Sequence, residues 1–283
     1  MTAAQLNGFF PSDFVTEGRF SAAVGVPPPD APTFPPTEIH DARALQAGAE
    51  SEASFFEAHG FVLLPHETEV RDWDKDVAAL YPPEIEMIIR RRLLPGRRIE
   101  IQQAALPLRR GRDTAVPFYA NGVHQDYALT ADDYAKSVGA FAGPEAARWW
   151  RGRYERDDVA GFMTIDFWRT TNMAEPLRHM PLALCDPTSV AADDVIPTTL
   201  TGVAPEGRET HHLALRFNAK QLWYHYPLMT GDELLAFKLF QCRKDGSAFA
   251  SCFHSAFADP DAPADAEHRQ SCEHRVGVLI LKE

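Results

Sequence analysis

From Gly161 onward the chain is a succession of short runs rich in β-branched, aromatic and aliphatic residues, divided by Pro, Gly, Asp and Asn. Runs of that length between turn formers read as strands. They are Gly161 to Trp168, Pro181 to Cys185, His212 to Phe217, Leu222 to Tyr226, Leu234 to Phe240, Ala250 to Phe257 and Arg275 to Leu281. So many short strands predict a mainly β fold, a sandwich or barrel, with helices confined to its flanks.

The first half is mixed. Residues 1–40 hold scattered aromatics and a proline cluster, Pro27 to Pro29 with Pro32, Pro35 and Pro36, which fixes extended backbone and predicts an arm over the core. Residues 41–283 are read as one domain with a helical N-terminal part and an insertion near 130–158. Ala42 to Ala58 has helical composition, and Phe61 to Leu64 reads as a strand ended by Pro65. Asp72 to Leu80 predicts a helix broken at Tyr81-Pro82-Pro83, and Glu84 to Leu94 a second one. The latter carries Arg90 to Arg92 near its C-terminal end, where they match the helix dipole. Ile99 to Leu108 reads as a strand, and Pro144 opens a helix that runs to about Arg153.

Charge and composition narrow the partners. A net charge of -12 disfavours nucleic acid and anionic membranes, both of which reward clustered Lys and Arg. No apolar run is long enough for a membrane helix and no basic, then apolar leader opens the chain, so a cytoplasmic location is expected. The four cysteines form no C-x-x-C pair and read as free thiols. No G-x-G-x-x-G or P-loop is present, which leaves nucleotide chemistry without a motif. A small-molecule substrate remains, and an exposed Leu or Phe on an edge strand would allow a homodimer.

The stretch that carries chemistry is Val123-His124-Gln125-Asp126-Tyr127. In extended backbone, side chains two apart share a face, so His124 and Asp126 can grip one metal ion. The third ligand is assigned to His254 in a later strand; His211, His212 and His225 compete for the position. Two His and one carboxylate with open positions opposite is the ligand set of non-haem Fe(II) oxygenases. Arg269 and Ser271 then stand two apart on one face and suit a carboxylate, so 2-oxoglutarate would chelate the metal through its keto acid and pair with them at its far end. O2 would take the last position. Arg275, six residues on and on the same face, is the competing anchor; it would otherwise contact substrate, share the co-substrate carboxylate or make a structural pair with Glu273. Trp168 and Arg169 leave one strand on opposite faces, and a buried Arg169 would be either a substrate-carboxylate clamp or a structural ion-pair member. Tyr127 and Tyr224 are further substrate-side candidates.

Several strings taken in order resemble one family. They are Val123-His124-Gln125-Asp126, Ile165-Asp166-Phe167-Trp168-Arg169, Pro181 to Asp186, Leu222 to Pro227, Asp232-Glu233, His254-Ser255-Ala256-Phe257 with Asp259-Pro260, and Arg269 to Arg275. Gly60 to Leu64 and Tyr81 to Glu84 match its N-terminal half. From about Ile39 to the C-terminus the chain is similar to the AsaB-like hydroxylase/desaturase family, which includes relatives of the cephamycin 7-alpha-methoxylase subunit. The resemblance implies a double-stranded β-helix, the cupin-like jelly roll, with Fe(II) and 2-oxoglutarate dependence and oxidative tailoring of small molecules. The expected activity is hydroxylation, desaturation or oxidative cyclisation with release of succinate and CO2. Relatives usually follow the Trp-Arg pair with Pro, whereas Thr170-Thr171-Asn172 follows here, so the pocket wall is remodelled. Two other readings remain: an accessory subunit of a two-protein oxygenase, and a cupin-like metal hydrolase or isomerase in which the same ligands activate water.

Overall fold

In a computed structural model, every residue is described except 24–32, 104–106, 113, 118 and 247–248. Three sheets carry the fold, with strands numbered in chain order. The largest runs β4 (Phe61–Pro65), β12 (Glu233–Arg243), β7 (Val159–Thr170), β14 (Ser271–Leu281), β5 (Ile99–Gln103), and β6 (Leu108–Arg110) lies beside β14. The second runs β1 (Thr2–Ala4), β3 (Thr37–Asp41), β11 (Trp223–His225), β8 (Leu182–Cys185), β13 (His254–Ala256). The third is β10 (Thr210–Leu215), β9 (Val195–Thr201) and β2 (Phe20–Ala23). The segment read as an arm thus adds a strand to the edge of one sheet through β1 and to another through β2.

β7 is the spine of the large sheet. It pairs antiparallel with β12 and β14, which sets Asp166 opposite both Phe237 and Arg275. Because strand side chains alternate, Asp166 and Trp168 face one way while Met163, Ile165, Phe167 and Arg169 face the other. On that second face the apolar side chains pack under helices α2 (Glu52–His59) and α3 (Val77–Ile88), which follow the short α1 (Ala42–Gln46). Ser51 caps α2 in a reciprocal pair with Ser54, and Gly60 ends it at φ 75°. A Cβ on Gly60 would meet Cys252 Sγ at 2.8 Å, so only glycine lets β4 start there. Helices α4 (Ala131–Ala142) and α5 (Pro144–Tyr154) form a hairpin about Gly143 and pack Tyr134 and Trp150 on Phe162 and Phe240.

Two expectations change. Helix α3 runs through Pro82 and Pro83 and ends in a π-helical turn, Ile89–Leu93, whereas residues 72–76 form only turns. Each proline removes a backbone hydrogen bond, but Tyr81, Ile85 and Ile89 are fully buried, and tertiary packing outweighs the local penalty. The strand expected over Ile99 to Leu108 is β5 followed by β6, with 104–106 outside the described residues. The first part of the proline cluster, Pro27 to Pro29 and Pro32, also lies outside them.

Candidate metal centre

Backbone pairing, with no help from side chains, brings the two distant histidines together. His124 and His254 form an antiparallel bridge, each backbone N–H donating to the other's carbonyl at 3.2 and 3.0 Å. On its other side Gln125 makes a matching pair with Leu213 of β10, at 3.0 and 3.1 Å. The H-x-D segment is therefore a short extended wedge joining the second and third sheets. Its entry is fixed from the N-terminus, where the Asn7 carbonyl accepts from Val123 N at 2.7 Å. Gly8, at φ 87°, allows this approach, because a Cβ there would stand 2.7 Å from Val123 N.

Nitrogen or oxygen atoms of His124, Asp126 and His254 all lie within 4.8 Å of one another. The ring geometry suits ligation. His124 Nδ1 donates to the Gly122 carbonyl at 2.6 Å and His254 Nδ1 to the Cys252 carbonyl at 3.3 Å, which leaves each Nε2 lone pair for a cation. Asp126 Oδ1 is 3.6 Å from His124 Nε2, and Oδ2 forms an ion pair with Arg275 Nη2 at 3.1 Å. Oδ2 is buried and its contact with Arg275 is not aligned as a hydrogen bond, so the carboxylate retains accepting capacity. Burial pushes its carboxyl up, but the charge of Arg275 and then the imidazoles outweigh that and hold it well below the usual carboxylate range. Burial lowers His254 to about 3, so its ring is neutral at neutral pH. An anionic carboxylate and neutral imidazoles are the protonation states a divalent cation needs.

Beside the triad is a cavity of about 60 Å³, walled by Trp168, Leu182, Phe237, Arg110, Arg269 and Arg275. Arg269 is buried, lies 4.1 Å over the Tyr119 ring and 5.5 Å from that of Trp168, and donates from Nη1 to the Met180 carbonyl at 2.5 Å. Among the described residues no carboxylate is within 4 Å of it, and its Nε has no partner. Burial accordingly drops its guanidinium to about 10. Ser271 is buried two residues on but outside the cavity wall. Arg275 is committed elsewhere, to Asp126 and, at 3.0 Å, to Glu273.

The remaining candidates separate. Trp168 lines the cavity, while Arg169 projects to the opposite face of β7, where it donates to the carbonyls of His66 and Gly231 and stacks 5.6 Å from Trp73. Arg169 therefore lies outside the wall of this cavity, and among the described residues no ion pair joins it to a carboxylate. Tyr127 packs on Tyr134 and Phe240, and Tyr224 on His40 and Phe61, both outside the cavity wall. The competing histidines fall outside the cluster of His124, Asp126 and His254: His211 contacts Asp133 at 2.9 Å, His212 Nε2 contacts Thr210 Oγ1 at 2.7 Å, and His225 packs on Phe257. Sequence reading missed Arg110, Asp166 and Glu273. The signal was there in alternation, since Asp166 shares a face with Trp168 and Glu273 with Arg269. A larger cavity, about 310 Å³, lies between α2, the π-helical turn and the start of β7, away from the triad.

A profile of the family described as "Oxidoreductase/YMDC permease-like domain" matches residues 30–279. Among the described residues no helix is long and apolar enough to cross a membrane. The chain is 32% identical over 122 residues to "Hydroxylase/desaturase CTB9" of Cercospora beticola, covering 40% of this chain and 37% of that protein. It is 31% identical over 116 residues to "Aspirochlorine biosynthesis protein N" of Aspergillus oryzae (strain ATCC 42149 / RIB 40), covering 41% and 47%. The matched stretch thus takes in less than half of either relative. The fold superposes on the solved "iron and alpha-ketoglutarate-dependent endoperoxidase NvfI" with a TM-score of 0.68 at 21% identity, covering 99% of this chain and 98% of the other. The architecture is the expected jelly-roll type, and the relatives' names agree with the hydroxylase/desaturase resemblance.

Proposed function

This chain belongs to the oxidoreductase/YMDC permease-like domain family, and from that premise we propose that it is an Fe(II)- and 2-oxoglutarate-dependent oxygenase acting on a small organic molecule. The observation that carries the reading is the His124–His254 bridge, which gathers two imidazoles and Asp126 within 4.8 Å next to the buried Arg269 guanidinium, which no carboxylate among the described residues pairs with. Two imidazole nitrogens and one carboxylate suit Fe(II). With 2-oxoglutarate and O2, iron so held supplies oxidation of a C–H bond, with succinate and CO2 released.

The protein's own part is to bind, orient and keep water out. His124, Asp126 and His254 would hold the metal, their Nδ1 hydrogen bonds preventing ring rotation. Arg269 would bind the distal carboxylate of 2-oxoglutarate, which gives its buried charge the anion it lacks. Trp168, Leu182 and Phe237 would exclude water and present the substrate carbon at a fixed distance. The relatives' names, "Hydroxylase/desaturase" and "Fe(II)/2-oxoglutarate-dependent dioxygenase", support oxidation of a C–H bond over hydrolysis. A cytoplasmic setting suits four cysteines that are all free.

The test is 2-oxoglutarate turnover under air, read as succinate release. Fe(II) should support it, Zn(II) should not, and His124→Ala or His254→Ala should abolish it. Equal turnover by the wild type and His254→Ala would refute the ligand set.

A further inference from the structure

We propose, building on the oxygenase reading above, that Arg275 is a positioning residue for Asp126, braced by Glu273 and Arg110, and does not anchor the co-substrate. The inward face of β14 and the turn before it presents Arg269, Ser271, Glu273 and Arg275 in alternation. Their partners divide them. Among the described residues no carboxylate pairs with Arg269, whereas Arg275 Nη2 sits between two, 3.1 Å from Asp126 Oδ2 and 3.0 Å from Glu273 Oε1. Glu273 is held from its other side by Arg110 of the neighbouring β6, which forks onto both of its oxygens at 2.9 and 3.0 Å.

Arg110, Glu273, Arg275 and Asp126 therefore form a line of alternating charge that ends on the metal triad. Each half-buried ion in it has an opposite neighbour, which offsets its partial loss of water. The line makes the two oxygens of Asp126 unequal. Oδ2 faces Arg275, while Oδ1 lies 3.6 Å from His124 Nε2, on the side of the ligand nitrogens. Asp126 would thus turn Oδ1 towards the metal while the charge of Arg275 holds Oδ2 in place. Partners of this kind orient a metal ligand without touching the metal. Since Arg269 lies just before β14 and Arg275 within it, one stretch of chain separates two tasks: Arg269 for the dicarboxylate and Arg275 for the metal ligand.

The experiment is titration calorimetry with Co(II), then 2-oxoglutarate on Co(II)-saturated protein, alongside the Co(II) visible spectrum. The proteins are wild type, Arg275→Met, Arg275→Lys, Glu273→Gln, Arg269→Met and His254→Ala. Arg275→Met should weaken Co(II) binding by about 10- to 100-fold and alter the Co(II) spectrum, with 2-oxoglutarate affinity little changed once metal is saturating. Arg275→Lys keeps the charge but loses the planar fork and should fall between. Glu273→Gln should weaken Co(II) binding by a smaller factor in the same direction. Arg269→Met should show the reverse pattern, with normal Co(II) binding and weak 2-oxoglutarate binding. Wild-type Co(II) affinity in folded Arg275→Met or Arg275→Lys, or a loss confined to 2-oxoglutarate, overturns the positioning role. Equal Co(II) binding by the wild type and His254→Ala would instead overturn the metal reading and this inference with it.

Discussion

Replacing Arg269 with Met separates binding from stability in a way few active-site substitutions do. The guanidinium is 2% exposed and has no anion within reach among the described residues. Its fall from 12.5 to about 10 corresponds to about 3 kcal/mol of destabilisation of the charged form. Met removes that penalty. It also removes the hydrogen bond to the Met180 carbonyl and the stacking on Tyr119 and Trp168, together worth about 2–3 kcal/mol. The two sides nearly cancel, so the ligand-free variant should match wild-type stability to within about 1 kcal/mol in urea unfolding. Binding behaves otherwise. Two charge-assisted hydrogen bonds to a carboxylate contribute about 1.5–3 kcal/mol each, so 2-oxoglutarate affinity should drop at least about 100-fold by calorimetry. A variant that loses several kcal/mol of stability yet binds 2-oxoglutarate normally would show that Arg269 is a structural residue and refute the reasoning.

Other consequences can be measured directly. Burial lowers His212 and His274 to about 4, so both are neutral in the fold but protonate near 6.5 when it unfolds. From these two alone the unfolded chain binds up to two more protons, so together they should lower stability by about 2–3 kcal/mol per pH unit from pH 6 towards 4, read as the difference in urea midpoints between the wild type and a His212→Gln/His274→Gln variant; identical profiles would contradict their burial. Gly8→Ala places a methyl group 2.7 Å from Val123 N at a left-handed φ, and should cost about 1–3 kcal/mol and weaken Co(II) binding, because Asn7 holds the ligand segment. Unchanged thermal stability would mean the N-terminal segment does not brace it. Arg169→Met leaves the His66 and Gly231 carbonyls without their donor and should cost about 2–4 kcal/mol with 2-oxoglutarate affinity intact, since it lies on the far face of β7. Lost affinity in the folded variant would place Arg169 back in the site.

Much of the fold was legible because strands alternating with turn formers leave a local signature, and β4, β7, β8, β11 and β12 are found close to where that signature falls. β9 was not, because Val195-Ile196-Pro197-Thr198 contains a proline that argues against a strand; its pairing with β10 overrides the local signal. The triad was legible as residue types, but the fact that joins it is non-local. Nothing near His124 in sequence says that its backbone bonds to His254, 130 residues later. The arginines at and just before β14 were ambiguous for the same reason: Arg269 and Arg275 share a face, and only their partners, Tyr119 and Met180 for one, Asp126 and Glu273 for the other, divide their roles. Face alternation did assign Trp168 and Arg169 to opposite sides; which side held the cavity required the sheet.

The most direct test of the central claim is anaerobic Fe(II) titration with 2-oxoglutarate, recorded by visible absorption on the wild type and His254→Ala. A weak charge-transfer band of the chelated keto acid in the wild type, lost in the variant, is the predicted result. Folded, iron-loaded wild-type protein that shows no band with 2-oxoglutarate would contradict it.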